Sequence, residues 1–273
     1  MNQRRVEAEC WDKTIISFES PHRLQDLCIE PDPVATREIA VEQQTFKIRL
    51  ANSRDRRESA SLLIQRMYAW RGYALTNPAE REPNRVTLVA STDESVVATL
   101  TVGYDSSVGL LVDDLYKPEI DALRRQGRRV CELTRLAVDP QIKSKQVLAS
   151  LFHIAFIYGR RIHGGTDFVI EVNPRHAAFY KRMLGFTELG LEKLCPRVNA
   201  PALLLRVDLQ WGQAQIAKFG GLMEKATGTR SLYPYFFSAQ DELGITQRLK
   251  ANSSAASSQD TSNAPGARIA HYG

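Results

Sequence analysis

The sequence predicts a mixed α/β sheet with helices on both of its faces. Short β-branched runs alternate with helical periods from about residue 46 to residue 209. Hydrophobic residues make up 43% and charged residues 25% of the chain, the composition of an ordinary globular protein. No G-x-G-x-x-G or Walker-type loop occurs, which sets aside the dinucleotide and nucleoside-triphosphate folds.

The elements follow in order. Phe46, Ile48 and Leu50 alternate, which predicts a strand. Ser53 caps a following helix with Asp55 in its first turn, and Ala60, Leu63, Ile64, Met67 and Tyr68 share one face. Residues 86–90 and 96–102 are β-branched runs split by Asp93 and Glu94, which suits a hairpin. A helix over 118–125 and a strand over 130–138 come next. A long helix over 144–163 buries Val147, Leu148, Leu151, Phe152, Ala155 and Tyr158, and Gly164-Gly165 ends it. A strand over 168–172 leads to Pro174, suited to a first helical turn, and a helix to residue 184. Strands over 186–191 and 203–209 close the series.

With 273 residues and roughly 150 per domain, one large domain is expected over 45–249, with a C-terminal helical extension. Residues 1–44 are polar, hold Pro21, Pro31 and Pro33, and read as a flexible arm with a short helix near Leu24 to Leu27. From residue 250 the Ser- and Ala-rich chain reads as a disordered tail. Cys10, Cys28, Cys131 and Cys195 lie far apart, which fits neither a metal site nor a disulfide framework. With no apolar leader and no stretch long enough to span a bilayer, the expectation is a cytoplasmic chain without an integral membrane segment. A net charge of +5 points to an acidic partner. The basic residues are not interleaved with aromatics, which argues against nucleic acid.

Three stretches carry chemistry. In the strand Val130-Cys131-Glu132-Leu133-Thr134-Arg135-Leu136-Ala137-Val138, regular alternation sends Glu132, Thr134 and Leu136 one way and Cys131, Leu133 and Arg135 the other. A carboxylate and a guanidinium in an apolar strand either pair structurally or face a cleft. Residues 139–144 then turn into the long helix, whose positive end favours anionic groups, helped by Lys143 and Lys145. Finally, residues 171–186 end a strand at Asn173, carry Tyr180 on a helix and restart at Gly185-Phe186. Tyr180 is either a proton donor or an amphipathic core residue.

The stretches Cys-Glu-Leu-Thr-Arg-Leu-Ala-Val-Asp and Glu-Val-Asn-Pro-Arg-His-Ala-Ala-Phe-Tyr-Lys-Arg-Met-Leu-Gly-Phe resemble the long-chain N-acyl amino acid synthases of the FeeM type. These belong to the GNAT acyltransferase superfamily and are related to the acyl-homoserine-lactone autoinducer synthases. The resemblance spans about residues 45–235. It implies a GNAT-like acyl-CoA N-acyltransferase fold, no bound cofactor, an acyl thioester as co-substrate and an amino acid acceptor. By position, Glu132 would orient or deprotonate the amine, and Arg135 would hold the acceptor carboxylate or brace the site. Tyr180 falls at the usual proton donor, although Gly185 is one residue further from it than in the usual motif, so both readings of Tyr180 stand. Leu136, Ala137 and Val138 would grip the donor's pantetheine arm, aided by Lys143, Ser144, Lys145 and Asn173. Arg71 and Tyr73 would meet the acceptor. Glu132 and Arg135 share one site only if a β-bulge falls between them.

Residues 141–146 lack the glycines with which GNAT enzymes approach the pyrophosphate of coenzyme A. That favours a donor carried on acyl carrier protein over acyl-CoA. Arg124, Arg125, Arg128 and Arg129 are candidates for docking this acidic partner, and Leu148, Phe152 and Phe156 for lining an acyl tunnel. The alternatives are a coenzyme A-dependent acetyltransferase, an autoinducer-synthase-like enzyme, and a non-catalytic protein that binds the carrier.

Overall fold

The computed structural model describes residues 14–21, 43–69, 84–93, 95–142, 144–226 and 229–262. The short helix near Leu24, and Arg71, Tyr73 and Lys143, lie outside the described residues. The elements are β1 (Thr14–Pro21), β2 (Gln43–Leu50), α1 (Arg54–Ala69), β3 (Arg85–Ser91), β4 (Val96–Tyr104), α2 (Asp113–Arg125) and β5 (Val130–Val138). They continue with α3 (Lys145–Phe156), β6 (Asp167–Val172), α4 (Pro174–Leu184), β7 (Thr187–Glu188), β8 (Lys193–Cys195), β9 (Ala200–Asp208), α5 (Leu209–Phe219) and α6 (Ala239–Ser262).

Nine strands form one mixed sheet in the order β1-β2-β3-β4-β5-β6-β9-β7, with β8 added beside β9. Every described pairing is antiparallel except β5 with β6. The two faces are read from side-chain alternation. Val130 of β5, Val169 of β6 and Leu204 of β9 pack with Tyr116, Ile120 and Leu123 of α2. Cys131, Leu133, Phe168, Ile170, Leu205 and Val207 point the other way, into the main core with α3, α4 and α5. Helices therefore cover both faces, as the sequence predicts.

Several boundaries depart from the sequence reading. Thr14–Pro21, within the supposed arm, is the strand at the edge of the sheet, paired with β2. Ile15 is buried, while the partly buried Ile16 and Phe18 pack against the main core. Helix α2 also differs: it starts at Asp113, ahead of the expected residue 118, and is non-helical at Tyr116, two residues before Pro118. The long helix keeps α geometry to Phe156 and then widens into a π-helical turn over Ile157–Ile162, ended by Gly164 at φ +64°. The strand expected over 186–191 shrinks to two residues. There the Tyr116 ring lies against Gly190, and its hydroxyl donates to Leu191 O at 3.0 Å and Ala202 O at 2.7 Å. The tail expectation is corrected over residues 250–262, where α6 continues. No helix among the described residues is long and apolar enough to cross a membrane.

His153 ties α6 to the core. It is fully buried on α3 and stacks on Phe236 and Phe237. Its Nδ1 accepts from Phe237 N at 2.9 Å, so Nε2 carries the proton, 3.1 Å from Glu242 Oε2. Arg161 Nε also reaches Glu242, at 2.7 Å. Burial pushes the pKa of His153 below its ordinary 6.5, although Glu242 acts in the opposite direction. A histidine held neutral in the fold but free to protonate when unfolded costs stability as pH falls below 6.5. His153→Gln should remove one proton's share of that slope, at most about 1.4 kcal/mol per pH unit. Urea denaturation of both proteins across this range measures it.

Candidate active site

The site forms where the parallel pair parts. Strands β5 and β6 are paired at Val130 with Asp167, Cys131 with Phe168 and Glu132 with Val169, and their register ends there. Beyond Glu132 a cleft of about 350 Å³ opens between them. Its walls include Glu132, Thr134, Arg135 and Leu136 from β5, Glu171 from β6, and Asn173 and Tyr180 at and on α4.

The β5 wall is bulged. Thr99 pairs with Ala137 and Thr101 with Thr134, so two steps along β4 match three along β5. The extra residue places Arg135 at φ +53°, a left-handed conformation that costs a non-glycine residue roughly 1–2 kcal/mol. Thr99 Oγ1 donates to Arg135 O at 2.8 Å and helps to hold it there. The bulge reverses the alternation. Ala137 packs with Leu63 and Ile64 of α1, whereas Leu136 and Val138 turn toward the main core. Regular alternation therefore fails after Thr134, and Arg135 comes to line the same cleft as Glu132. The other non-glycine residue with positive φ among those described, Asn199, sits between the lining residues Val198 and Ala200.

Glu132 is 1% exposed. Its Oε1 accepts from Arg85 Nη2 at 3.0 Å and Leu111 N at 3.0 Å, and its Oε2 from Val112 N at 3.1 Å. Leu111 and Val112 lead into α2, so the carboxylate satisfies amides at a helix start that would otherwise lack partners. Burial raises the pKa of Glu132, and the Leu111 amide, Arg85 and the Val112 amide partly offset this. A carboxylate offers about four lone-pair positions. Three are used, which leaves one on Oε2 for a substrate amine or a water. Opposite, Gly103 of β4 leaves room: a Cβ there would lie 2.7 Å from Glu132 Cγ.

Tyr180 is buried among Phe152, Phe179 and Phe186, edge to face with each. Asn173 caps α4 by accepting from Arg175 N at 3.2 Å. Cys195 also lines the cleft, and burial followed by a bond to Glu171 keeps its pKa raised, so it stays a thiol. Ala137, Val138, Ser144 and Lys145 are not among the lining residues. Ser144 is buried, caps α3 through Val147 N at 3.2 Å and meets Ser20 Oγ of β1 at 2.6 Å.

The four candidate docking arginines divide. Arg124 is bound by Asp105, Asp113 and Asp121, which raise its pKa. Arg128 pairs with the buried Asp167 and with Asp208. Both are engaged in ion pairs within the fold. Arg125 and Arg129 are exposed. Of the tunnel candidates, Phe152 and Phe156 line a separate apolar cavity with Leu133, Gly212 and Tyr233, while Leu148 lies in the core outside that lining.

Sequence reasoning missed Arg85, the two amides, Glu171 and Arg197. An isolated glycine in a strand signals close approach, so Gly103 was findable.

The site is thus a mixed sheet that forks beside a bulged strand, with a buried carboxylate at the fork. A model of the family "N-acyl amino acid synthase FeeM" matches residues 59–208, more than half of the chain. The chain belongs to this family. The structure of FeeM, an N-acyl amino acid synthase from uncultured soil microbes, superposes with a TM-score of 0.58 at 26% identity, over 63% of this chain and 95% of that one. An N-acetyltransferase from Staphylococcus aureus Mu50 matches with a TM-score of 0.44 at 13% identity, over 60% and 98%. The AHL synthase LasI matches at 0.43 and 11%, over 61% and 91%. No curated protein matches the sequence.

Gly103→Ala should destabilise the protein by roughly 1–3 kcal/mol, the usual cost of overpacking. It should also displace Glu132 and lower acyl transfer more than tenfold, about 1.4 kcal/mol in barrier. Denaturation and steady-state rates measure the two effects separately.

Proposed function

We propose that this acyltransferase moves a long-chain fatty acyl group from an acyl carrier protein thioester to the amine of an amino acid. The observation that carries the reading is the fork itself, where Glu132 and Arg135 line one cleft beside the unpaired edge of β5. The acceptor amine approaches Oε2 of Glu132, which takes its proton directly or through one water. Arg135 binds the acceptor carboxylate. The pantetheine arm lies along β5 beyond Glu132 as an added strand, and backbone N–H groups there polarise the thioester carbonyl. The amine nitrogen bonds to the carbonyl carbon, the carbon–sulfur bond breaks, and the thiolate leaves to be protonated. Tyr180, on the cleft wall, is the candidate donor for that proton. Attack is direct, consistent with a Cys195 that is held as a thiol.

The start of α3 supports the carrier-bound donor. In place of glycines it has the buried Ser144, whose hydroxyl already meets Val147 N and Ser20. A pyrophosphate finds less room there than the single phosphate of a carrier's prosthetic arm. The exposed Arg125 and Arg129 remain available for an acidic carrier, in contacts that salt would weaken.

A small apolar cavity of about 30 Å³, which shares Leu133 with the cleft, is the candidate site for the end of the acyl chain. A Cβ on Gly212 would stand 3.7 Å from Tyr233 Oη and 3.8 Å from Phe156, in ordinary contact. Gly212→Ala should therefore fold and, by narrowing the cavity, shift the products toward shorter acyl chains, as read by mass spectrometry.

The purified chain, given a mixture of amino acids, should use acyl carrier protein thioester at least about tenfold more efficiently than the matching acyl-CoA, a difference of about 1.4 kcal/mol. Preference for acyl-CoA would overturn the donor assignment. No N-acyl product from either donor would overturn the reaction.

A further inference from the structure

The peptide that holds Glu132 is itself held from behind. Arg197, on the turn between β8 and β9, donates from Nη1 to Leu111 O at 2.6 Å and to Asp114 Oδ2 at 2.8 Å. Its Nη2 donates to Glu171 Oε2 at 2.7 Å. Leu111 O and Val112 N belong to one planar peptide group. That group accepts a charged hydrogen bond from Arg197 at its oxygen and donates from its nitrogen to Glu132 Oε2 at 3.1 Å. Hydrogen bonds in such a chain polarise one another, so a cation on the carbonyl makes the N–H a stronger donor.

We propose that Arg197 is a positioning residue for acyl transfer, which sets the orientation and charge of the Glu132 carboxylate through the Leu111–Val112 peptide. The proposal rests on the reading of Glu132 as the group that receives the amine's proton. Arg197 reaches the carboxylate only through that peptide, and through it couples the β8–β9 turn on one wall of the cleft to the base. Its two acidic partners, Asp114 and Glu171, fix the guanidinium in place.

The elements around Glu132 carry Tyr116, Lys117, Glu119, Asp121, Arg124 and Arg125 on α2, Cys131 on β5, Asp167 on β6 and Lys193 on β8. Arg85 on β3 binds Glu132 directly. Tyr104 lies on β4, Arg135 on β5, Asp113 and Asp114 at the start of α2, Glu171 on β6 and Cys195 on β8. Asp113 is neutralised by Arg124, and Asp114 and Glu171 by Arg197. Loss of Arg197 weakens the Val112 donor and leaves two carboxylates uncompensated. Both changes favour protonated Glu132. A base works only when deprotonated, so the acid limb of kcat/KM must move to higher pH.

The test compares Arg197→Ala and Arg197→Lys with the wild-type protein. It uses the pH dependence of kcat/KM and amide hydrogen exchange at Leu111 and Val112. Arg197→Ala should raise the acid limb by about half a unit and speed exchange at Val112 several-fold. Arg197→Lys keeps a cationic donor for Leu111 O and should recover at least part of both changes. A uniform fall in kcat/KM with the limb unmoved would overturn the proposal, as would unchanged exchange at Val112. If the wild-type chain makes no N-acyl product, the functional reading fails, and the exchange comparison still decides whether Arg197 holds this peptide against Glu132.

Discussion

The buried carboxylate of Glu132 is the interaction on which the site depends. It joins Arg85 of β3 and the amides at the start of α2 to its own strand, β5, opposite Gly103, where a Cβ would lie 2.7 Å from Glu132 Cγ. Such an arrangement is costly to break. Removal of one partner from a buried ion pair leaves the others uncompensated, typically at about 3–5 kcal/mol. Replacement of Glu132 by alanine would orphan Arg85 and two amides at once, and would confuse a stability defect with a chemical one. Glutamine preserves the volume and an acceptor, and so separates the two.

Under the proposed function, the same carboxylate is both a structural pin and the base. Burial favours its protonated form, while the three donors favour the charged form, and the balance leaves its pKa raised. It is thus a better base than an ordinary carboxylate, with one lone pair free at the mouth of the fork. The bulge adds the second charge. Without the extra residue, Arg135 would point into the core with Leu133. With it, the strand takes a strained turn at φ +53° and Arg135 joins the cleft. Strain of this kind is concentrated where a site requires it.

The fold was legible in the sequence where the hydrophobic period was strong. The predicted hairpin, the Glu132 strand, the long helix and the helix from Pro174 all occur close to their expected places. The departures have physical reasons. Strand β1 alternates only over a few residues amid polar ones, and its pairing with β2 depends on contacts that no local pattern records. The helix α6 has a weakly amphipathic sequence, and its anchor is the His153–Glu242 contact between residues 89 positions apart. The two charged residues of β5 were visible, and so was the need for a bulge. The position of that bulge emerged only from the β4–β5 register. Arg85, Leu111, Val112 and Arg197 could not be read at all, because they act through long-range or backbone bonds. The four arginines before β5 looked like one basic patch, yet Arg124 and Arg128 are held by carboxylates that the linear charge count ignores.

The central claim is that Glu132 performs chemistry in addition to holding the fold. The most direct measurement is mass spectrometry of organic extracts from bacteria that express the wild-type chain or Glu132→Gln, with both proteins first shown to be folded. New N-acyl amino acids should appear in the wild-type extract and fall by about a hundredfold or more in the variant. An equal yield of product from folded Glu132→Gln would contradict the claim, and would leave Glu132 as a structural pin alone.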